Sequence, residues 1–216
     1  MTTDPLLEAT ARVRAEGLIA YPTETTYGLG ADARSARAVA ALQTWKGRDP
    51  QQPLSILVTG AQMCEALGCE LGTAAQRLVA AFWPGPLTLV VRCRTQFARG
   101  VSSPGGTLGL RCSSHPLAHA LAVRLAEGGL GPVTATSLNV SGAEPARTRR
   151  DARAACAGAP SAPWLLDLQG LDEPRGGAST VVDATLAEPH VLRHGVISEA
   201  ALRAVLQGAQ EGADPR

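Results

Sequence analysis

Two short polar triplets about ninety residues apart, Lys46-Gly47-Arg48 and Ser137-Leu138-Asn139, carry side chains suited to a negatively charged ligand. The first supplies an ammonium and a guanidinium, the second a hydroxyl and a carboxamide. Each borders a run that reads as a helix end or a strand end. A third polar stretch, Tyr21-Pro22-Thr23-Glu24-Thr25-Thr26-Tyr27-Gly28-Leu29-Gly30, precedes them. Loops reach where regular elements cannot, and cations on loops at strand edges suit a small polyanion. The chemistry this predicts is that of a nucleotide-using enzyme rather than of a structural module.

Other constellations give weaker signals. Gly28-Leu29-Gly30-Ala31-Asp32-Ala33 matches GxGxx[GA], yet six residues separate it from the preceding strand, where a dinucleotide fingerprint would follow directly. Its glycines read instead as a tight turn near a ligand. The chain contains no GxxxxGK[ST], so a phosphate site must be assembled from side chains such as Lys46 and Arg48 and from backbone amides. Read alone, Lys46-Gly47-Arg48 is also what a helix C-terminus decorated with cations looks like. His115 and His119 have metal-ligand spacing, but Pro116 stands where HExxH needs glutamate, and no Cys/His cluster argues for zinc. Ser137, Ser141 and Ser179 lack a GxSxG elbow, so they read as donors to phosphate or carboxylate oxygens, or as ordinary turn and strand-end residues.

The elements that must position these groups follow from periodicity and punctuation. Leu6, Leu7, Thr10, Val13 and Arg14 mark a helix that stops at Gly17, followed by a strand over Leu18–Tyr21. Ser35 caps a helix with Val39, Leu42 and Trp45 inward, and that helix delivers Lys46. Leu54–Val58 reads as a buried strand, with Thr59 as the next helix cap. Thr73–Phe82 is a helix stopped by Trp83-Pro84-Gly85-Pro86. Leu87–Arg92 and Thr107–Cys112 are strands, and Ser114 with Pro116 opens a helix to about Glu127, closed by Gly128-Gly129. Pro132–Ser137 is a strand. Thr148–Cys156 is a helix whose Thr148 and Asp151 resemble a capping box. Trp164–Leu168, Ser179–Asp183 and His190–Ile197 complete the strands, and Ser198 caps a helix through Leu206. Several strands follow each other without an intervening helix. That excludes a purely doubly wound arrangement and predicts an α/β (α+β) fold, a mixed, twisted β-sheet with packed helices.

Bulk properties narrow the class. At 216 residues, without repeat or linker, the chain reads as a single domain over 1–216, with its core at about 6–206 and a frayed tail at 207–216. Hydrophobic content of 45% with only 3% aromatic residues means a core of Ala, Leu and Val. A net charge of +1 gives no broad basic field, so any nucleic-acid affinity must come from local clustering. Five cysteines without CxxC spacing, no apolar run of membrane-span length and the opening Met1-Thr2-Thr3-Asp4 point to a reduced cytoplasmic protein without a membrane segment.

Taken together and in order, these segments resemble the YrdC-like threonylcarbamoyl-AMP synthase family. The stretch Tyr21–Leu29 is similar to its signature opening, and Lys46-x-Arg48 and Ser137-x-Asn139 to its KxR and SxN motifs. Trp83-Pro84-Gly85-Pro86-Leu87-Thr88, Leu110-Arg111 with His115-Pro116, Asn139-x-Ser141-Gly142, Ser179-Thr180-Val181-Val182-Asp183 and Leu192-Arg193-x-Gly195 extend the resemblance over about residues 6–206. It implies a YrdC-like single domain with an open ligand-binding cleft. It further implies synthesis of threonylcarbamoyl-adenylate from L-threonine, bicarbonate or CO2 and ATP, with release of pyrophosphate. The product serves t6A modification of tRNA position 37 through a downstream t6A transferase machinery.

By motif, the resemblance gives Lys46, Arg48, Gln52, Thr107, Ser137, Asn139, Ser141, Thr148 and Arg193 to ATP, and Thr25, Tyr27, Arg111 and Ser179 to threonine. Lys46 and Arg48 would act by positioning and charge neutralisation. Mg2+ would arrive with ATP, with no metal ligand from the protein. Two positions depart from the family pattern: Asp49 intervenes between Arg48 and Pro50, and Leu57 stands where some relatives carry a histidine. Two other readings stay open on the same fold. One is a non-catalytic RNA-binding or ribosome-assembly module with direct tRNA or RNA contact, for which Arg147, Arg149, Arg150 and Arg153 could form a local patch. The other is a carbamoyl-transfer enzyme, which usually belongs to a much longer chain.

Overall fold

The computed structural model describes residues 4–158, 161–168 and 170–208. In chain order the elements are α1 (Pro5–Arg14), β1 (Ile19–Pro22), β2 (Tyr27–Gly30), α2 (Ala36–Lys46), β3 (Ser55–Leu57), α3 (Ala61–Ala66), α4 (Thr73–Phe82), β4 (Leu87–Arg92), β5 (Thr107–Arg111) and α5 (Pro116–Glu127). They continue with β6 (Thr134–Ser137), α6 (Arg149–Ala155), β7 (Trp164–Leu165), β8 (Thr180–Asp183), β9 (His190–Arg193) and α7 (Glu199–Gln207). All nine strands join one mixed sheet in the order β7-β1-β2-β6-β3-β5-β4-β8-β9. Three pairs are parallel (β1 with β7, β3 with β5, β4 with β8) and the other five antiparallel.

The two-residue period of the strands assigns each side chain to a face. Leu87, Leu89 and Val91 of β4, Leu108 and Leu110 of β5, Ile56 of β3 and Val182 of β8 point into the larger core, with Leu42 of α2, Leu78 of α4 and Leu202 of α7. The opposite face is covered at one end only. There Val13 of α1 and Leu117, Leu121 and Leu125 of α5 pack on Ile19, Tyr21 and Leu57. Over β3, β5, β4 and β8 that second face stays uncovered and forms a floor.

Helix ends follow the local chemistry. The hydroxyls of Ser35 and Ser198 accept from the backbone N–H groups of Ala38 and Ala201, as expected of N-caps. Thr148 and Asp151 complete a reciprocal capping box on α6. Two caps differ from the sequence expectation. Gly60, not Thr59, precedes α3, and no side chain caps that helix. His115, not Ser114, caps α5: its Nδ1 accepts from Leu117 N at 3.2 Å. That bond fixes the tautomer, so Nε2–H donates to the Asp172 carbonyl at 3.1 Å. His115 is therefore a structural cap.

The largest correction concerns Gly28 and Gly30, which form no tight turn but lie within β2, antiparallel to β1. A Cβ on Gly28 would come within 2.8 Å of the Tyr21 ring across the strand pair. Glycine is needed there so that a buried aromatic can lie flat on the sheet. Tyr21 in turn donates its hydroxyl to the Thr134 carbonyl at 3.1 Å. Two expected strands also prove shorter: Trp164–Leu168 contracts to β7, and His190–Ile197 ends at Arg193. Gln207 closes α7 and Gly208 caps it, so within the expected tail these two are ordered, while 209–216 lie outside the described residues. Cys64, Cys69, Cys93 and Cys112 are buried free thiols.

Candidate active site

The uncovered half of the sheet floors a cleft of about 690 Å3. Its base follows from register. Leu57 pairs with Arg111, Arg111 with Thr88, Thr88 with Val181 and Val181 with Arg193, giving one continuous row across five strands. A second row runs Ala135–Ser55–Gly109–Val90–Asp183. The segment between β1 and β2 forms one wall, with Thr23, Thr25 and Thr26 facing the cleft. Thus one cation stands within the sheet at Arg111 and another at its edge at Arg193.

Arg48 reaches the same cleft from the end of α2. That helix terminates at Gly47, whose φ of 60° is left-handed and suits glycine. The Arg48 amide then bonds back to the Gln43 carbonyl at 3.0 Å, turning the chain toward the floor. Burial lowers the pKa of Arg48, Arg111 and Arg193 from the ordinary guanidinium value, and Arg193 presses Arg48 further down. Three guanidiniums lining one cleft, of which Arg111 is paired to Glu24, make a field that favours anions. Their donors are only partly used. Arg48 Nη2 donates to the Pro53 carbonyl at 3.2 Å, while its buried Nε has no partner; the buried Nη1 of Arg111 is likewise unpaired.

Hydroxyls line the space between them. Arg193 donates to the Ser179 carbonyl and, at 2.8 Å, to its hydroxyl, which lies 3.0 Å from Thr88 Oγ1. Thr107 Oγ1 lies 2.7 Å from Ser103 Oγ. Of the residues singled out in the sequence, Thr25, Arg48, Thr107, Arg111, Ser137, Ser179 and Arg193 line the cleft.

Lys46 stands differently. It is 2% exposed, and its Nζ donates to the carbonyls of Ser137 at 2.6 Å and Asn139 at 2.8 Å, and to Asn139 Oδ1 at 3.3 Å. All three ammonium hydrogens are thereby directed at the Ser137–Asn139 loop. Asn139 is equally committed: Oδ1 also accepts from Ser137 Oγ, and Nδ2 donates to the carbonyls of Val140 and Ala143. Ser141 N bonds to the Lys46 carbonyl at 2.7 Å. The two triplets are joined, with Lys46 as the strut. Tyr27 is buried in the larger core, Thr148 caps α6, and Gln52 is exposed in a turn closed on Asp49. None of these three lines the cleft.

The departures also find places. Asp49 Oδ1 accepts from Gln51 N at 2.8 Å, so its carboxylate closes a surface turn. Leu57 is buried at the cleft base beside Arg111.

Sequence reasoning assigned no role to Glu24, Ser113 or Thr88. Glu24 accepts from Arg111 Nη2 on one carboxylate oxygen and from Ser113 Oγ on the other. An acid inside a stretch otherwise rich in threonine was the available signal. The arginines considered for an RNA patch are largely engaged: Arg149 and Arg153 share Asp167, and Arg147 pairs with Glu144. Among the described residues no group of three or more His, Cys, Asp and Glu converges to hold a metal ion. Among the same residues no helix is long and apolar enough to cross a membrane.

Comparison with known proteins agrees with this fold. A Mycobacterium tuberculosis protein provisionally named threonylcarbamoyl-AMP synthase is 37% identical over 201 residues, 93% of this chain and 88% of the relative. The threonylcarbamoyl-AMP synthase of Halorhodospira halophila is 37% identical over 145 residues, covering 67% of this chain and 74% of its own. The crystal structure of P. abyssi Sua5 complexed with L-threonine superposes with a TM-score of 0.83 at 30% identity, over 96% of this chain. The present chain spans 59% of that structure's length. Residues 11–195 match the Sua5/YciO/YrdC family model, which bears the description telomere recombination. The chain belongs to the Sua5/YciO/YrdC family.

Proposed function

We propose that the cleft makes L-threonylcarbamoyladenylate from L-threonine, bicarbonate or CO2 and ATP, releasing pyrophosphate, for t6A modification of tRNA. The observation carrying this reading is the convergence of Arg48, Arg111 and Arg193 in one cleft, with buried donors on Arg48 and Arg111 left unpaired. Relatives named for this synthesis, and a neighbour crystallised with threonine, support it.

Arg111 offers the threonine carboxylate a fixed guanidinium, and Thr25 and Ser179 offer hydroxyls for its polar remainder. Arg48 and Arg193, with the hydroxyls of Thr107 and Ser137, receive the triphosphate. Lys46 contributes by holding the Ser137–Asn139 loop in shape. The threonine nitrogen attacks the carbon of CO2, or of bicarbonate with loss of water, and sheds a proton to give the carbamate. A carbamate oxygen then attacks the α-phosphorus, the α–β phosphoanhydride bond breaks, and pyrophosphate leaves with the electron pair. Such a reaction needs positioning and charge neutralisation more than a dedicated nucleophile. Mg2+ fits as a companion of the triphosphate, which supplies the oxygens it prefers. Product release to a downstream t6A transferase machinery and residence in the cytoplasm complete the reading.

The test is pyrophosphate release from ATP and bicarbonate with and without L-threonine. Release requires threonine on this reading; no threonine-dependent release from folded protein at saturating Mg2+ and ATP overturns it. A purely RNA-binding role draws less support, since all four of its arginines are paired to carboxylates.

A further inference from the structure

Arg111 is 6% exposed at its side chain, and a guanidinium so placed needs an anion that the fold itself supplies. That anion is Glu24, 87 residues earlier. Its carboxylate is fixed at both oxygens, one by Arg111 Nη2 and the other by Ser113 Oγ. Ser113 Oγ in turn accepts from the His115 amide at 3.2 Å, which ties the group to the capped start of α5. The Glu24 backbone is held as firmly. Its carbonyl accepts from Arg175 N at 3.2 Å and that of Thr25 from Gly176 N at 2.8 Å, while Thr23 Oγ1 accepts from the amides of Thr25 and Thr26. The result is a guanidinium with one amino group spent on an immobile internal carboxylate and the other, Nη1, buried without a partner.

We propose that Glu24 is a positioning residue for substrate recognition: it fixes the Arg111 guanidinium at the cleft floor in the orientation in which it meets the carboxylate of the incoming amino acid. The inference rests on the functional reading above and deepens its threonine half. Glu24 divides the guanidinium's donors between protein and ligand and offsets the charge that burial penalises. A ligand carboxylate then meets an oriented donor and orders no flexible side chain on binding. Removing the negative charge while keeping the shape frees the fork to turn, and the loss falls on the carboxylate-bearing substrate alone. The ATP groups, Arg48 and Arg193, lie on other elements and donate to Pro53 and Ser179, not to Glu24.

Steady-state pyrophosphate release by Glu24→Gln, with both substrates varied, tests this. The expected result is a threonine KM raised about tenfold or more, with kcat and the ATP KM within about twofold of the parent, because one charge-assisted contact to threonine is weakened. Glu24→Asp, which keeps the charge, recovers most of the loss. A threonine KM that stays put, or threonine and ATP KM values that rise together with a falling melting temperature, overturns the proposal. If Glu24→Gln does not fold, Ser113→Ala, which removes the second contact on the Glu24 carboxylate, carries the same test: it raises the threonine KM alone, and unchanged or parallel KM values overturn the proposal. Parent protein that releases no pyrophosphate in response to threonine takes down the functional reading itself, a result distinct from either.

Discussion

Lys46 is bonded to Asn139 twice, at the backbone carbonyl and at the side-chain oxygen, and reaches the Ser137 carbonyl as well. The end of α2 and the loop after β6 are therefore one unit, and the cation most visible in the sequence is turned inward, toward protein oxygens. Lys46→Met keeps the bulk and deletes the donors, leaving buried carbonyls unsatisfied. It is expected to lower stability by about 1–3 kcal/mol and to raise the ATP KM together with it. Urea unfolding and steady-state kinetics on one preparation check both. A raised ATP KM at unchanged stability would instead mean that Lys46 meets the ligand directly.

The same lysine gives a pH dependence with two signs. Burial, and then Arg48, push its pKa down to about 8. Above that value the ammonium becomes an amine with two hydrogens for three acceptors, so the loop loosens and the ATP KM rises. An unfolded lysine keeps its proton to about pH 10.4, so between these values the unfolded chain binds more protons. The contribution of Lys46 to the unfolding free energy thus grows as pH rises through that window and is lost as pH falls through about 8. ATP KM and urea midpoints measured from pH 7 to 9.5 should show these opposed trends, and Lys46→Met should lack both inflections.

Arg48 and Arg193 line one cleft, where the proposed function places the triphosphate. Arg48→Ala and Arg193→Ala should each raise the ATP KM about tenfold or more while moving the threonine KM less. Added salt should raise the ATP KM of the parent more steeply than that of either variant, since each variant has one charge fewer to screen.

Gly28→Ala tests the strand packing rather than the chemistry. The new Cβ meets the Tyr21 ring at 2.8 Å, and Tyr21 is fully buried. Overpacking of this kind costs about 1–3 kcal/mol, readable as a lowered urea midpoint.

The legible parts of this chain were those whose cause is local. Ser35, Thr148 and Ser198 announce helix starts because a cap bonds to amides two or three residues away. Lys46 and Arg48 could be placed at a helix end, and Leu87–Arg92 and Thr107–Cys112 read as strands from their apolar runs. What stayed hidden depends on distant partners. Gly28 and Gly30 read as a turn because the Tyr21 ring that requires small residues there sits on the neighbouring strand. The bracing of the Ser137–Asn139 loop by Lys46 could not be read from the triplet, because the carbonyls it serves are 91 and 93 residues away. Glu24 went without a role for the same reason, since only the fold brings Arg111 and Ser113 to it.

Product identity is the most direct measure of the central claim. The protein is incubated with ATP, L-threonine and carbon-13-labelled bicarbonate, and the mixture is read by mass spectrometry. The account predicts an adenylate that contains threonine and one labelled carbon, formed in step with pyrophosphate and absent with Arg111→Ala. AMP and pyrophosphate without the labelled adduct, or an adduct that forms without threonine, would contradict it.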